Sequence, residues 1–77
     1  MPVIPSRRAL RRRLGQRVVV HTRDDRTIDG ILVGSHLDTL AVASAVLLQA
    51  GEQPDVPLGG ETLIPMDNVS LVQVGLP

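Results

Sequence analysis

A chain of 77 residues without a single Phe, Tyr, Trp or Cys must build its core from aliphatic side chains and has no covalent means of holding it. Aromatic side chains normally supply the largest single burials, and disulfides or thiolate metal sites are the usual staples of short domains. A domain this short buries only about 60% of the surface that its unfolded chain exposes. Val, Leu, Ile and Ala therefore carry the core, and contact between copies is the most available source of further buried area. His21 and His36 are the two histidines, too few for a structural metal site unless carboxylates join them. Neither a metal nor a cofactor is expected.

The hydropathy pattern reads as one domain over 1–77. Two prolines mark residues 1–5 as a tail. Ser6 suits a helix N-cap, and a helix over 6–14 places Leu10 and Leu14 on one face at i, i+4 spacing with Ala9 beside them. Gly15 stands where a C-cap glycine belongs. From residue 16 the pattern becomes that of strands. VVVHT at 18–22 is β-branched and ends at a turn on Asp24-Asp25; RTIDGILVGS alternates and carries Gly30 and Gly34, which read as bends or bulges. LAVASAVLL at 40–48 is nearly continuous and apolar, and is read as a strand between hairpin-like neighbours. Residues 49–60 form a Pro- and Gly-rich loop, followed by strands at 61–65 and 69–74 around the turn MDN. The expected architecture is mostly β: a short N-terminal helix followed by a bent sheet of five antiparallel strands over 16–74, connected as a meander.

Formal charge is zero but unevenly spread. All eight basic residues are arginines within 1–26, accompanied there by Asp24 and Asp25 alone, whereas 27–77 carries the other acidic residues and no basic one. Such asymmetry points to a basic arm that meets phosphate or an acidic surface, including that of a second copy of the chain. No apolar run reaches the roughly 18 residues of a membrane span, and there is no signal-peptide core, so a cytoplasmic location without membrane contact is expected.

The segment LGQRVVVHTRDDRTIDGILVGSHLDTLAVAS resembles the first motif of the Sm and Sm-like proteins, through Leu14, Val18, Val20, the Asp24-Asp25 turn, Ile28, Gly30, Leu32 and Gly34. ETLIPMDNVSLVQV resembles the second motif, and its IP-x-DN-V ending is similar to divergent bacterial or phage members. The resemblance implies an SH3-like small barrel that closes into homo-oligomeric rings of roughly five to seven copies. It also implies that the fourth strand of one copy pairs with the fifth of the next, through Leu63, Ile64, Val69, Leu71 and Val72. RNA-processing members of the family hold a uridine with an Asp, a stacking side chain and an Asn in the loop before the third strand. An Arg-Gly pair near the last turn completes that pocket. This chain has His36, Asp38 and Leu40 in the loop and Pro65-Met66 in place of Arg-Gly. A shift of one or two positions aligns Asp38 with the family Asp but does not restore the rest.

Two readings of the arginine cluster stay open. Arg7, Arg8, Arg11, Arg12 and Arg13 grip phosphates from one face of a ring, with His36 and Asp38 in the neighbouring loop, or they form a solvated face that neutralises acidic groups on the adjoining copy. Arginine without lysine favours bidentate phosphate contact. The missing aromatic platform argues against base-specific stacking. Ser35, His36 and Asp38 are too local for a hydrolytic triad, no phosphate-cradling glycine loop is present, and no catalytic residue is assigned. The chain is thus expected to be a ring protein, not an enzyme, that binds RNA weakly. An assembly module without nucleic-acid affinity, or a monomeric SH3-like adaptor, are the alternatives.

Overall fold

Every strand expected from the sequence forms, but the sheet they belong to is larger and differently connected. The computed structural model describes residues 2–3, 7–36 and 38–74, with the backbone alone described for Pro2, Val3, Arg7, Ala9 and His36. In chain order the elements are β1 (Pro2–Val3), α1 (Arg7–Arg11), β2 (Arg17–Thr22), β3 (Thr27–His36), β4 (Thr39–Leu48), β5 (Val56–Pro57), β6 (Glu61–Pro65), a 3-10 turn (Met66–Asn68) and β7 (Val69–Val74).

The expected count of five strands is overturned: the sheet has seven, in the order β1-β7-β2-β3-β4-β5, with β6 also paired to β4. The additional strands are two-residue pieces at positions assigned to the tail and to the 49–60 loop. The meander is overturned as well. β7 does not pair with β6, which precedes it by one turn; it crosses to β2, where Val18 faces Val74 and Val20 faces Val72. β6 lies on β4, with Leu40 opposite Ile64 and Val42 opposite Thr62. Thus β6 and β7 flank the run β2-β3-β4 on opposite sides, β7 on β2 and β6 on β4, yet only the three residues Met66–Asn68 separate them. Three residues span at most about 10 Å, so the sheet has to curl until its ends adjoin.

The bend comes from β3 and β4. Their register slips twice: between Asp29 and Ile31 an extra residue sits on β4, and between Leu32 and Gly34 an extra residue sits on β3. At the first slip Ser44 takes a φ of 51°, and Gly30 lies so close to β4 that a Cβ there would stand 2.3 Å from Val42 Cγ1 and 2.8 Å from the Ala43 carbonyl oxygen. Only glycine permits that approach. Bulges of this kind increase local twist and let one strand serve both halves of a curled sheet.

The curl encloses an aliphatic core of Leu10, Val18, Val20, Ile28, Leu32, Leu40, Val42, Ala45, Ile64, Val69, Val72 and Val74. The helix expected over 6–14 is also overturned, being a single turn, Arg7–Arg11. Like charges at i, i+3 and i, i+4 repel, and three of the five residues of this turn are arginine with no acidic residue among them. Leu10 is fully buried and holds the turn down, whereas Leu14, expected to dock beside it, is 47% exposed. Gly15 keeps the left-handed φ, 83°. It serves the entry to β2, where its N–H donates to the Leu32 carbonyl at 2.7 Å and Leu32 N–H donates to the Gln16 carbonyl at 2.9 Å.

Candidate nucleic-acid interface

The arginines differ in whether the chain neutralises them itself: Arg17 and Arg26 meet carboxylates, whereas Arg23, exposed in the β2–β3 turn, makes no ion pair among the described residues. On β2 and β3, the Arg17 guanidinium donates from Nε to Asp29 Oδ1 at 2.9 Å and from its terminal nitrogen to Oδ2. This pair holds the Asp29 carboxyl below its ordinary range and raises the Arg17 guanidinium. Arg26 Nε stands 3.7 Å from Asp24. Around α1 the situation is the reverse. Arg8, Arg11 and Arg12 are exposed, Arg13 is half-buried, and none makes an ion pair among the described residues. The Arg7 side chain lies outside the described set. α1 rests against β3 and its Leu10 is buried in the core, which holds the backbone that carries these cations beside β3.

The loop between β3 and β4 forms a second candidate region. The Asp38 carbonyl accepts a 2.6 Å hydrogen bond from Met66 N–H, and Thr39 faces Pro65 across the β4–β6 ladder. The loop is therefore brought against the turn after β6, two segments far apart in sequence. Asp38 is exposed. Leu40, in contrast, is fully buried in the core. It cannot offer a polar group to a ligand. Ser35 Oγ at the loop's start is buried without a hydrogen-bond partner among the described residues. The side chain of His36 lies outside the described set, as does Leu37.

The five side chains expected at a subunit contact fall into separate environments. Ile64, Val69 and Val72 are buried within the chain's own core, Leu71 is half-buried, and Leu63 is 63% exposed. Leu63 projects from β6, whose ladder runs to β4 alone among the described residues. A cleft along the same strand is lined by Thr62, Leu63 and Ile64 together with Asp24, Ile28 and Leu47.

One polar cluster was not foreseen. Thr22 Oγ1 donates to Asp24 Oδ1 and accepts from Arg26 N–H at 2.9 Å, while Asn68 Nδ2 donates to the same Asp24 oxygen at 3.4 Å. Arg23 N–H also donates to the Asn68 carbonyl at 2.8 Å. The hydrogen bond from Thr22 keeps the Asp24 carboxyl below its ordinary range. This cluster ties the β2–β3 turn to the turn between β6 and β7, across 44 positions of sequence. Nothing in the spacing of TRDDR and MDN would have linked them. Among the described residues no group of three or more His, Asp or Glu is placed to hold a metal, and no helix is long and apolar enough to cross a membrane.

No protein-family model matches the chain, and no curated protein does. Its likenesses are among solved structures. It is similar to a heptameric archaeal Sm protein at 23% identity, covering 90% of this chain and 98% of that one, with a TM-score of 0.76. It is similar to the Pyrococcus abyssii Sm protein, solved in complex with a uridine heptamer, at 25% identity with a TM-score of 0.77, over 94% of this chain and all of the other. The Methanococcus vannielii SmAP (LSm) protein matches at 24% identity and a TM-score of 0.66, over 84% and 87% of the two chains. These likenesses, the curled sheet and the paired motifs agree: the chain has the fold of the Sm and Sm-like proteins.

Proposed function

We propose that the chain assembles head to tail into a homo-oligomeric ring and that the ring holds RNA by its phosphate backbone, through the arginines around α1. The observation that carries the reading is the contrast within the arginines. Arg17 and Arg26 are met by carboxylates of their own chain, whereas Arg8, Arg11, Arg12 and Arg13 are left without one among the described residues, as is the isolated Arg23 in the β2–β3 turn; only the set around α1 is a cluster. Repeated around a ring, this set multiplies into a continuous cationic surface, which binds phosphate with salt-sensitive, sequence-independent affinity. A heptameric Sm protein and an Sm protein bound to uridine heptamer share the fold, which supports both halves of the proposal.

Assembly itself follows from β6. A strand with an open edge and an exposed leucine is an aggregation hazard unless another strand covers it. A head-to-tail contact that closes on itself removes the hazard. Base recognition of the family kind is a weaker expectation: the chain has no aromatic ring to stack on, and Leu40 turns into the core where the family places Asn. The same two facts favour a second reading, a ring that serves as an assembly module without nucleic acid.

Titration of short U-rich and A-rich RNA at low salt separates them. The expected outcome is comparable binding of both, with log affinity falling by about 0.7 per engaged phosphate for each decade of salt. Replacement of Arg11, Arg12 and Arg13 by Ala abolishes it. Absence of binding to either RNA at low salt leaves the assembly module. Because the chain has no Trp or Tyr, strong absorbance at 260 nm in the purified protein is a direct sign of bound nucleic acid.

A further inference from the structure

The edge of β7 that a head-to-tail ring would use is already taken. β7 pairs with β2 on one side, and on the other it pairs with β1, Pro2 opposite Gln73 and Val3 opposite Val72. A strand has only two edges, so an incoming β6 from a neighbouring copy cannot run the length of β7 while the chain's own β1 holds Val72 and Gln73, two of its six residues. We propose that Pro2–Val3 is an intramolecular plug of the ring junction: it seals β7 in the separate chain and is displaced when β6 of the next copy docks. The inference rests on the ring reading above.

The two competitors are unequal in the right direction. β1 has two residues, and one of them is proline, which has no N–H to give to the ladder. β6 has five residues and carries Leu63, 63% exposed, to cover at the contact. A short plug that is easily displaced protects β7 while the chain is dilute and yields once neighbours are abundant. The opposite edge, on β6, has no such cover among the described residues. The separate chain therefore presents one open edge and one that is covered over Val72 and Gln73. A full β6–β7 ladder between copies cannot form until the plug is released, which raises the concentration that assembly needs.

Light scattering over a dilution series tests this with two variants. In the first, Met1 is followed directly by Ser6. It should reach ring mass at a concentration lower by about tenfold, the factor carried by the one or two weak ladder hydrogen bonds it no longer has to break. The second is Pro2→Cys/Gln73→Cys. Its thiols are the only two in the chain, and facing positions in an antiparallel pair have Cα atoms about 4.5–5.5 Å apart, within disulfide reach. Oxidised, it should stay below ring mass at concentrations where the same protein, once reduced, assembles. If the shortened and complete chains assemble at the same concentration, or the oxidised form assembles as readily as the reduced one, the plug is overturned while the ring stands. If no form exceeds the mass of one chain, the ring reading falls and takes the plug with it.

Discussion

β6 and β7 are both short aliphatic strands, separated by one 3-10 turn, and they end in opposite situations. β7 lies between β1 and β2, with Val69, Val72 and Val74 all in the core. β6 lies against β4 alone among the described residues, and of its two large aliphatic side chains Ile64 is buried and Leu63 is not. Strand sequence does not account for this. Both segments turn branched residues inward, Ile64 from β6 and Val69, Val72 and Val74 from β7. What differs is where each falls in the strand order, and that order is set by the bend in β3 and β4 rather than by either strand. A sheet that curls until its ends adjoin without pairing creates one protected margin and one exposed margin from similar material.

The largest test of this contrast is to shorten the two adjacent side chains of β6 in turn. Ile64→Ala removes a core side chain and should cost about 2–5 kcal/mol of folding stability. Leu63→Ala should change the stability of the dilute chain by no more than about 0.5 kcal/mol, while raising the concentration needed for assembly. Urea denaturation followed by far-ultraviolet circular dichroism, at low protein concentration, measures the first effect, and light scattering the second. Equal losses of folding stability from the two substitutions would mean that β6 has no exposed margin.

A smaller loss is expected at the bend that places the two strands. Gly30→Ala introduces a methyl group 2.3 Å from Val42 Cγ1 and 2.8 Å from a backbone oxygen of β4. The valine can rotate, but the backbone has to move, an overpacking cost of about 1–3 kcal/mol. Gly34→Ala, whose added carbon would meet nothing closer than Ala41 Cβ at 3.9 Å, is the control and should be close to neutral. If the two substitutions cost the same by urea denaturation, the close approach at Gly30 does not hold β3 to β4.

What was legible in the sequence follows the same division. The β6 and β7 bounds were readable because alternation and flanking turns mark them, and Gly30 was readable as a bend because glycine inside a strand has few other uses. The strand expected over 40–48 forms as Thr39–Leu48 despite a composition that also suits a helix. The two-residue strands were not. Pro2–Val3 and Val56–Pro57 have no periodicity to detect, and they exist because a neighbouring edge is available. The helix was overestimated because the i, i+4 spacing of Leu10 and Leu14 outweighed the repulsion among the arginines between them. In the candidate interface, the arginine cluster was visible as composition, but its lack of carboxylate partners depended on which acidic residues the fold brings near Arg17 and Arg26. Leu40 was placed by resemblance in a ligand loop, and its burial could be known only from the β4–β6 ladder.

The smallest expected effect concerns the polar tie that holds the turn between β6 and β7 to the β2–β3 turn. Asp24 accepts hydrogen bonds from Thr22 and Asn68, and the first of these in particular lowers its carboxyl below the ordinary value of about 3.9. Asp29 is lowered in the same direction by Arg17. A carboxyl whose pKa is lower in the folded chain than in the unfolded one adds stability above the unfolded value, and this is lost as pH falls through the folded value. Stability should therefore be level from neutral pH to about pH 5 and then decline through pH 4 and below. Asp24→Asn and Asp29→Asn should each make that decline shallower, with little change in its starting point. Asp24 is exposed at the surface, so its share is modest and screened by salt. Asp24→Asn has a second consequence that Asp29→Asn lacks: Asn68 would lose a charged acceptor, loosening the turn between β6 and β7. Amide exchange at Val69 should accordingly quicken in Asp24→Asn alone. If both variants leave the turn equally protected, the tie to Asn68 contributes nothing to holding the two margins in place.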